Sequence, residues 1–183
     1  MNTFISMLRG INVGGSKKVK MNDLIALYES LGFVNVRTYV QSGNLIFDFP
    51  GKDVSKLQKM IETGIQKTFG FSADVLIRTV DEFRQITLRN PFLKRKDIDI
   101  SKLHVTFLSS IPTIKSLDAL KNMKREDADE FITKGKEIYL FCPNGYGRTK
   151  LSNNFFEKKL GITATTRNWR SVVSLLEIAG KRL

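Results

Sequence analysis

The stretch LRGINVGGSKKVKM, residues 8–21, collects hydrogen-bond donors and positive charge without a single acid. Arg9, Asn12, Lys17, Lys18 and Lys20 stand there among Gly10, Gly14 and Gly15. Glycines let backbone N–H groups turn toward an anion and lysines reach it, so the chemistry this suggests is the holding of a phosphate. A nucleotide-type phosphate loop needs two glycines separated by four residues, then a lysine, then a hydroxyl residue. Gly10 and Gly15 have that separation, but Ser16 precedes Lys17 and reverses the order. The helical pattern starts near Met21, which sets a helix dipole too far from the loop to serve it. The stretch is therefore read as a binding loop of another kind, in which Arg9, Asn12, Gly14, Gly15 and Lys17 contact the ligand. Its length, about a dozen residues, exceeds the two to six of an ordinary connection, and long loops more often have a task.

Three further segments carry suitable groups. In QSGN, Gln41, Ser42 and Asn44 offer amides and a hydroxyl that suit a sugar, a base edge or a phosphate. Arg148 and Lys150 lie in GYGRTKLS, a basic loop before a helix, and Arg167 and Asn168 in TTRNW, where Asn168 can cap the last helix. These residues form the expected anion-binding set.

Other chemistries lack their parts. One histidine, His104, and one cysteine, Cys142, leave no metal site and no histidine-based triad, so no metal and no cofactor is expected. Cys142, in EIYLFCP, is read as a buried thiol, and no pair of acids suits glycosidic chemistry. No catalytic residue can be named.

Thirty Lys and Arg against 18 Asp and Glu give a formal charge of +12. Residues 145–183 hold eight of the basic residues and only two acids, half of that excess. Such a field attracts nucleic acid and smaller phosphorylated ligands, which are the partners to expect. No apolar run is long enough for a bilayer, and the opening MNTFISMLRG has neither the basic start nor the length of a signal peptide, so no membrane partner and a cytoplasmic location are expected.

Hydrophobic spacing supplies the elements that must position these groups. TFISMLR reads as a strand, MNDLIALYESLG as a helix closed by Gly32, and FVNVRTYV and NLIFDF as a hairpin turning at QSGN. A helix capped by Asp53 and closed by Gly70 follows, then the strand ADVLIRT. The order βαββαβ then starts again with KLHVTFLSS and ends with a helix bearing Trp169, Val172, Val173, Leu176 and Ala179 on one face. The predicted class is α+β: two ferredoxin-like (alpha-beta plait) domains with antiparallel sheets, over residues 1–80 and 101–183, joined by a connecting helix and linker at 81–100. In each sheet the face away from the helices must be covered or used. Phe47 and Phe49 are assigned to the core, because NLIFDF lacks the basic-glycine start of an RNA-recognition strand.

LRGINVGG, the following Met-x-x-Leu, YVQSGNLIF and the late RNW together resemble the bacterial family known as domain of unknown function 1697. The resemblance implies two ferredoxin-like domains and no activity, substrate or cofactor. Its signature residues here are Arg9, Gly10, Asn12, Gly14 and Gly15, then Gln41, Ser42, Gly43 and Asn44, then Arg167, Asn168 and Trp169.

The expected function is non-catalytic binding of a phosphate-bearing ligand, with nucleic acid as the leading polymer. The alternative is an enzyme acting on a small phosphorylated or nucleotide metabolite, with Arg9, Asn12, Gln41, Ser42 and Asn44 around one pocket. A self-association module using an uncovered sheet face is a third reading.

Overall fold

The computed structural model describes residues 1–15, 17–122 and 128–181. The chain is mixed α+β, with two four-stranded antiparallel sheets and six α-helices among the described residues. It divides into two compact units, Met1–Gln85 with the chain from Val173 onward, and Ile86–Val172. Turn signals place the divisions at 80/81 and 100/101 and leave the last helix in the second half. The end of that helix instead clusters with the first unit, where Arg37 Nη1 donates to the carbonyls of Ile178 at 2.7 Å and Lys181 at 2.9 Å.

The first unit contains β1 (Asn2–Leu8), α1 (Met21–Ser30), β2 (Val34–Tyr39), β3 (Asn44–Phe49), α2 (Val54–Phe69) and β4 (Val75–Thr79). Its sheet runs β2-β3-β1-β4. Period-two alternation sends Phe4, Leu8, Leu45, Phe47, Val75 and Ile77 to the face that packs on Leu24, Leu27 and Tyr28 of α1 and on Leu57, Ile61 and Ile65 of α2. Phe47 stacks on Phe33 at 4.4 Å between ring centroids and meets Tyr28 edge-on at 5.5 Å. The buried Tyr28 hydroxyl has a partner in Ser6 Oγ at 3.0 Å, which satisfies a polar group that burial would otherwise penalise. Burial raises the Tyr28 phenol well above its ordinary value, so it stays neutral.

Helix ends follow local chemistry. Asp53 accepts from Lys56 N at the start of α2, and Gly70 closes it in a left-handed conformation. Thr79 and Glu82 cap α3 (Val80–Leu88) reciprocally, with Glu82 Oε2 accepting from Thr79 N at 2.8 Å and Thr79 Oγ1 from Glu82 N at 3.2 Å.

In the second unit β5 (Leu103–Leu108), α4 (Ile114–Lys121), β6 (Glu130–Lys134), β7 (Glu137–Phe141), α5 (Asn153–Leu160) and β8 (Ala164–Asn168) repeat the order, and the sheet runs β6-β7-β5-β8. Leu108, Ile138, Leu140, Ala164 and Cys142 pack with Leu120 of α4 and Phe156 and Leu160 of α5. The segment read as a polar connector forms two 3-10 turns, Pro91–Lys94 and Ile100–Lys102, each started by an Asn or Asp side chain. Arg95 holds it to this unit by forking onto Glu130 at 2.6 and 2.7 Å, and Tyr139 OH donates to Ile86 O, near the end of α3 just before it, at 2.9 Å.

The last helix, α6 (Trp169–Gly180), buries Trp169, Val172, Leu175 and Ala179. Val173 and Leu176, expected on its buried stripe, are half-exposed, and Leu175 takes the inward position. Ile5, Met7, Ile46 and Leu76, opposite the helices of the first unit, are buried, as are Leu103, Val105, Phe107 and Tyr139 in the second.

Gly43, at the hairpin turn, has φ +69°, and an added Cβ would lie 2.6 Å from Ile11 Cδ1 and 2.9 Å from Leu8 Cβ. Gly14 has a similar φ of +59° but open space around it. Gly43→Ala is expected to cost about 2–4 kcal/mol, from backbone strain plus overpacking, and Gly14→Ala only about 1 kcal/mol, from strain alone. Urea unfolding of both variants checks this, and equal losses would mean that the crowding at 43 relaxes freely. His104 supplies a pH test. Burial holds its imidazole below the ordinary value of 6.5, against a smaller opposing effect of the Lys102 carbonyl. The unfolded chain therefore takes up this proton before the folded one does, and stability should fall as pH drops below about 6.5 until the folded imidazole also protonates. Replacing His104 with Phe, which keeps the stack on Tyr146, should flatten that part of the stability profile measured between pH 5 and 7.

Candidate functional site in the first unit

Beyond β1 the chain folds back on itself. Asn12 adopts a left-handed φ of 54°, and its amide pairs with Val19 in both directions: Val19 N donates to Oδ1 at 2.8 Å, and Nδ2 donates to Val19 O at 3.0 Å. The same Nδ2 donates to Gln41 O at 2.9 Å, tying the loop to the hairpin turn. Leu8 N donates to Gly43 O at 2.8 Å, and Ile11 is buried against the turn. The loop and hairpin thus meet at one end of the sheet, because β1 lies beside β3.

This fold-back opens a broad hollow of about 760 Å³, lined by Asn12, Gly15, Lys18, Val19, Lys20, the first turn of α1 from Met21 to Asp23, Gln41 and Phe69. Lys18 and Lys20 are exposed on either side of the buried Val19. Lys20 is the N-cap of α1 and makes no side-chain cap bond, so the first N–H groups of the helix border the hollow without a side-chain acceptor from that residue. Asp23, also in the wall, sets one acid against the two lysines. Sequence order separates the glycine loop from the helix start, but the Asn12–Val19 pairing returns the chain so that Gly15 and Met21 line the same space.

Of the eight site residues expected in this unit, Asn12, Gly15 and Gln41 line the hollow, while Arg9, Gly14, Lys17, Ser42 and Asn44 lie outside its described lining. Arg9 is half-buried at the end of β1, its N–H on Asp74 O. Lys17 turns away, with Nζ donating to Ser72 O at 2.7 Å and lying 5.9 Å from the Phe71 ring centroid. Asn44 is fully buried and closes the hairpin, donating to Ser42 Oγ at 2.8 Å and Tyr39 O at 3.2 Å. The Ser42 and Asn44 side chains of QSGN therefore serve the turn first, and of its polar side chains only Gln41 is left to the hollow's lining.

The remaining expected residues belong to the second unit. Arg148 and Lys150 are exposed on either side of Thr149, whose hydroxyl donates to Asp129 and pins the loop. Arg167 is buried, with Nη1 donating to Thr165 Oγ1 at 2.8 Å and Thr166 O at 2.9 Å. Asn168 Oδ1 accepts from Ser171 N at 2.8 Å, the capping bond of α6. Among the described residues no three His, Cys, Asp or Glu side chains gather into a group that could hold a metal.

Sequence reasoning placed Lys18 and Lys20 in the loop but did not single them out. The signal was there in the Lys-Val-Lys alternation, since an apolar residue between two lysines in an extended run sends both lysines to one side. Asn22, Asp23 and Phe69 had no comparable local signal. Phe69 comes from the far end of α2 and reaches the hollow only through the packing of that helix.

The family model described as Protein of unknown function (DUF1697) matches residues 1–139, a span that holds the glycine loop and the hairpin but not RNW. A solved structure of a conserved bacterial protein from Streptococcus pneumoniae is similar, with a TM-score of 0.77 and 20% sequence identity over 97% of this chain and 98% of that chain, a likeness of fold alone. The comparison with curated proteins found no match.

Asn12 carries both a left-handed backbone and three side-chain hydrogen bonds, so Asn12→Ala is expected to cost about 2 kcal/mol or more. Urea unfolding measures it. An unchanged midpoint would show that Asn12 is dispensable to the loop and available for another role.

Proposed function

We infer the role of this chain, which belongs to the family of proteins of unknown function DUF1697, from the hollow itself: it is a non-catalytic binding protein for a phosphate-bearing ligand, with nucleic acid as the leading polymer. The observation that carries this reading is the placing of two exposed lysines, Lys18 and Lys20, beside Gly15 and the first turn of α1 in one open space. Lysines there supply mobile charge, and the helix start supplies oriented N–H groups. The charge of +12 adds a long-range attraction for polyanions.

The same proposal takes each unit as a ferredoxin-like plait. Strand orders β2-β3-β1-β4 and β6-β7-β5-β8, with neighbours antiparallel throughout, support it, and the order sets β3 between β1 and β2 so that loop and hairpin share one sheet end. A cytoplasmic location is part of the reading, supported by a lone, buried Cys142 that needs no oxidising compartment. No helix among the described residues is long and apolar enough to cross a membrane.

Inorganic polyphosphate, which offers phosphates and nothing else, is the direct probe. Binding should weaken as salt rises, because phosphate contacts release counterions. The double variant Lys18→Ala, Lys20→Ala should lower affinity about tenfold at low salt and reduce the log–log salt slope by about 1.5, with unfolding unchanged. Absence of low-salt binding, or a double variant that binds as well as the parent, would overturn the assignment.

A further inference from the structure

The wall of the hollow opposite in character to its lysines is Phe69. This half-exposed ring lines the same space as Lys18, Lys20, Asn22 and Gln41. It is steadied by Phe71, stacked at 6.1 Å between centroids with 23° between planes, and Phe71 in turn lies under the Lys17 ammonium. A phosphate site alone has no use for an aromatic wall; Phe69 packs in part against the core that Leu57, Ile61 and Ile65 of the same helix enter fully, and it also lines the hollow.

We propose that the hollow seats one nucleotide of a single-stranded nucleic acid, with its base against Phe69, its backbone phosphates on Lys18 and Lys20, and the amides of Gln41 and Asn22 within the same wall to meet base or sugar. This rests on the phosphate-binding reading above and narrows it. Every base has a π-face, so an aromatic wall favours an unpaired base without demanding one sequence. A duplex keeps those faces stacked inside and cannot offer them, whereas a looped or single strand can. The volume suits the fit: about 760 Å³ lies within the range of pockets that hold a ligand of nucleotide size. The two amides can each donate and accept, which matches base edges of either polarity. The strand aromatics Phe4 and Phe47 are buried in the core with α1 and α2, so stacking at this hollow would use a helix end in place of a sheet face.

The experiment compares two labelled dodecamers on the intact protein, one of thymidylate and one with the same sugar-phosphate backbone but no bases. Thymidylate should bind about tenfold more tightly than the abasic strand at equal salt. Phe69→Leu, which keeps an apolar side chain at the end of α2 but removes the ring, should erase that preference while leaving abasic binding unchanged. Equal affinity of the two strands for the parent protein would overturn the base contact and leave the phosphate reading standing, and so would a preference that survives Phe69→Leu. Loss of both strands and of polyphosphate together would remove the underlying reading instead. The parent comparison needs no variant to fold and decides the base contact even if Phe69→Leu is unstable.

Discussion

At Gly43 the chain has room for a hydrogen atom and no more. Ile11 and Leu8 press against that position, within 2.9 Å of where a Cβ would stand, while Leu8 N bonds to its carbonyl. This close approach seats the glycine-rich loop on the hairpin turn and gives the first unit a fixed corner. From it the loop must turn back, and Asn12 makes the return possible by offering Val19 the donor and acceptor that a neighbouring strand would offer. The lysines either side of Val19 then face outward because Val19 itself goes in. This corner thus sets which side chains border the hollow.

Residues of the glycine loop and hairpin divide into those that make the corner and those that border the hollow. Gly43, Asn44, Ser42 and most of Asn12 belong to the first group, since their polar atoms or lack of a side chain are used inside the turn. Lys18, Lys20 and Gln41 belong to the second. Amides and hydroxyls are adaptable hydrogen-bonding groups, and a tight turn with left-handed residues needs them as much as a ligand does. Residue type alone does not separate the two uses. Arg167 makes the same point in the second unit, where a guanidinium is used on threonine oxygens of its own strand.

Elements set by short-range chemistry were readable directly. The Asp53 cap, the Gly70 closure of α2, the hairpin at QSGN and the helix start at Met21 all lie where composition and spacing put them, because each depends on groups within a few residues. Distant segments decide the rest. The stripe of α6 shifts from Leu176 to Leu175, and the end of that helix clusters with the first unit through Arg37, a residue some 140 positions away. Phe69 reaches the hollow in the same way, through the packing of α2 rather than through any neighbouring residue in the sequence.

Taken by itself, the amino-acid sequence determined the order of strands and helices, the antiparallel hairpins, the apolar faces that form the two cores, and an excess of positive charge. Those properties follow from periodicity, propensity and composition, which act locally or as sums over the chain. Tertiary structure decided which donors remain available. Whether Asn44 closes a turn or meets a ligand, and whether Lys18 and Phe69 share a wall, depends on which backbone groups packing brings within about 3 Å of each amide and on where α2 ends relative to the loop. A hydrogen-bonding side chain serves the partner that folding places nearest, and that placement is set by contacts far apart in the sequence.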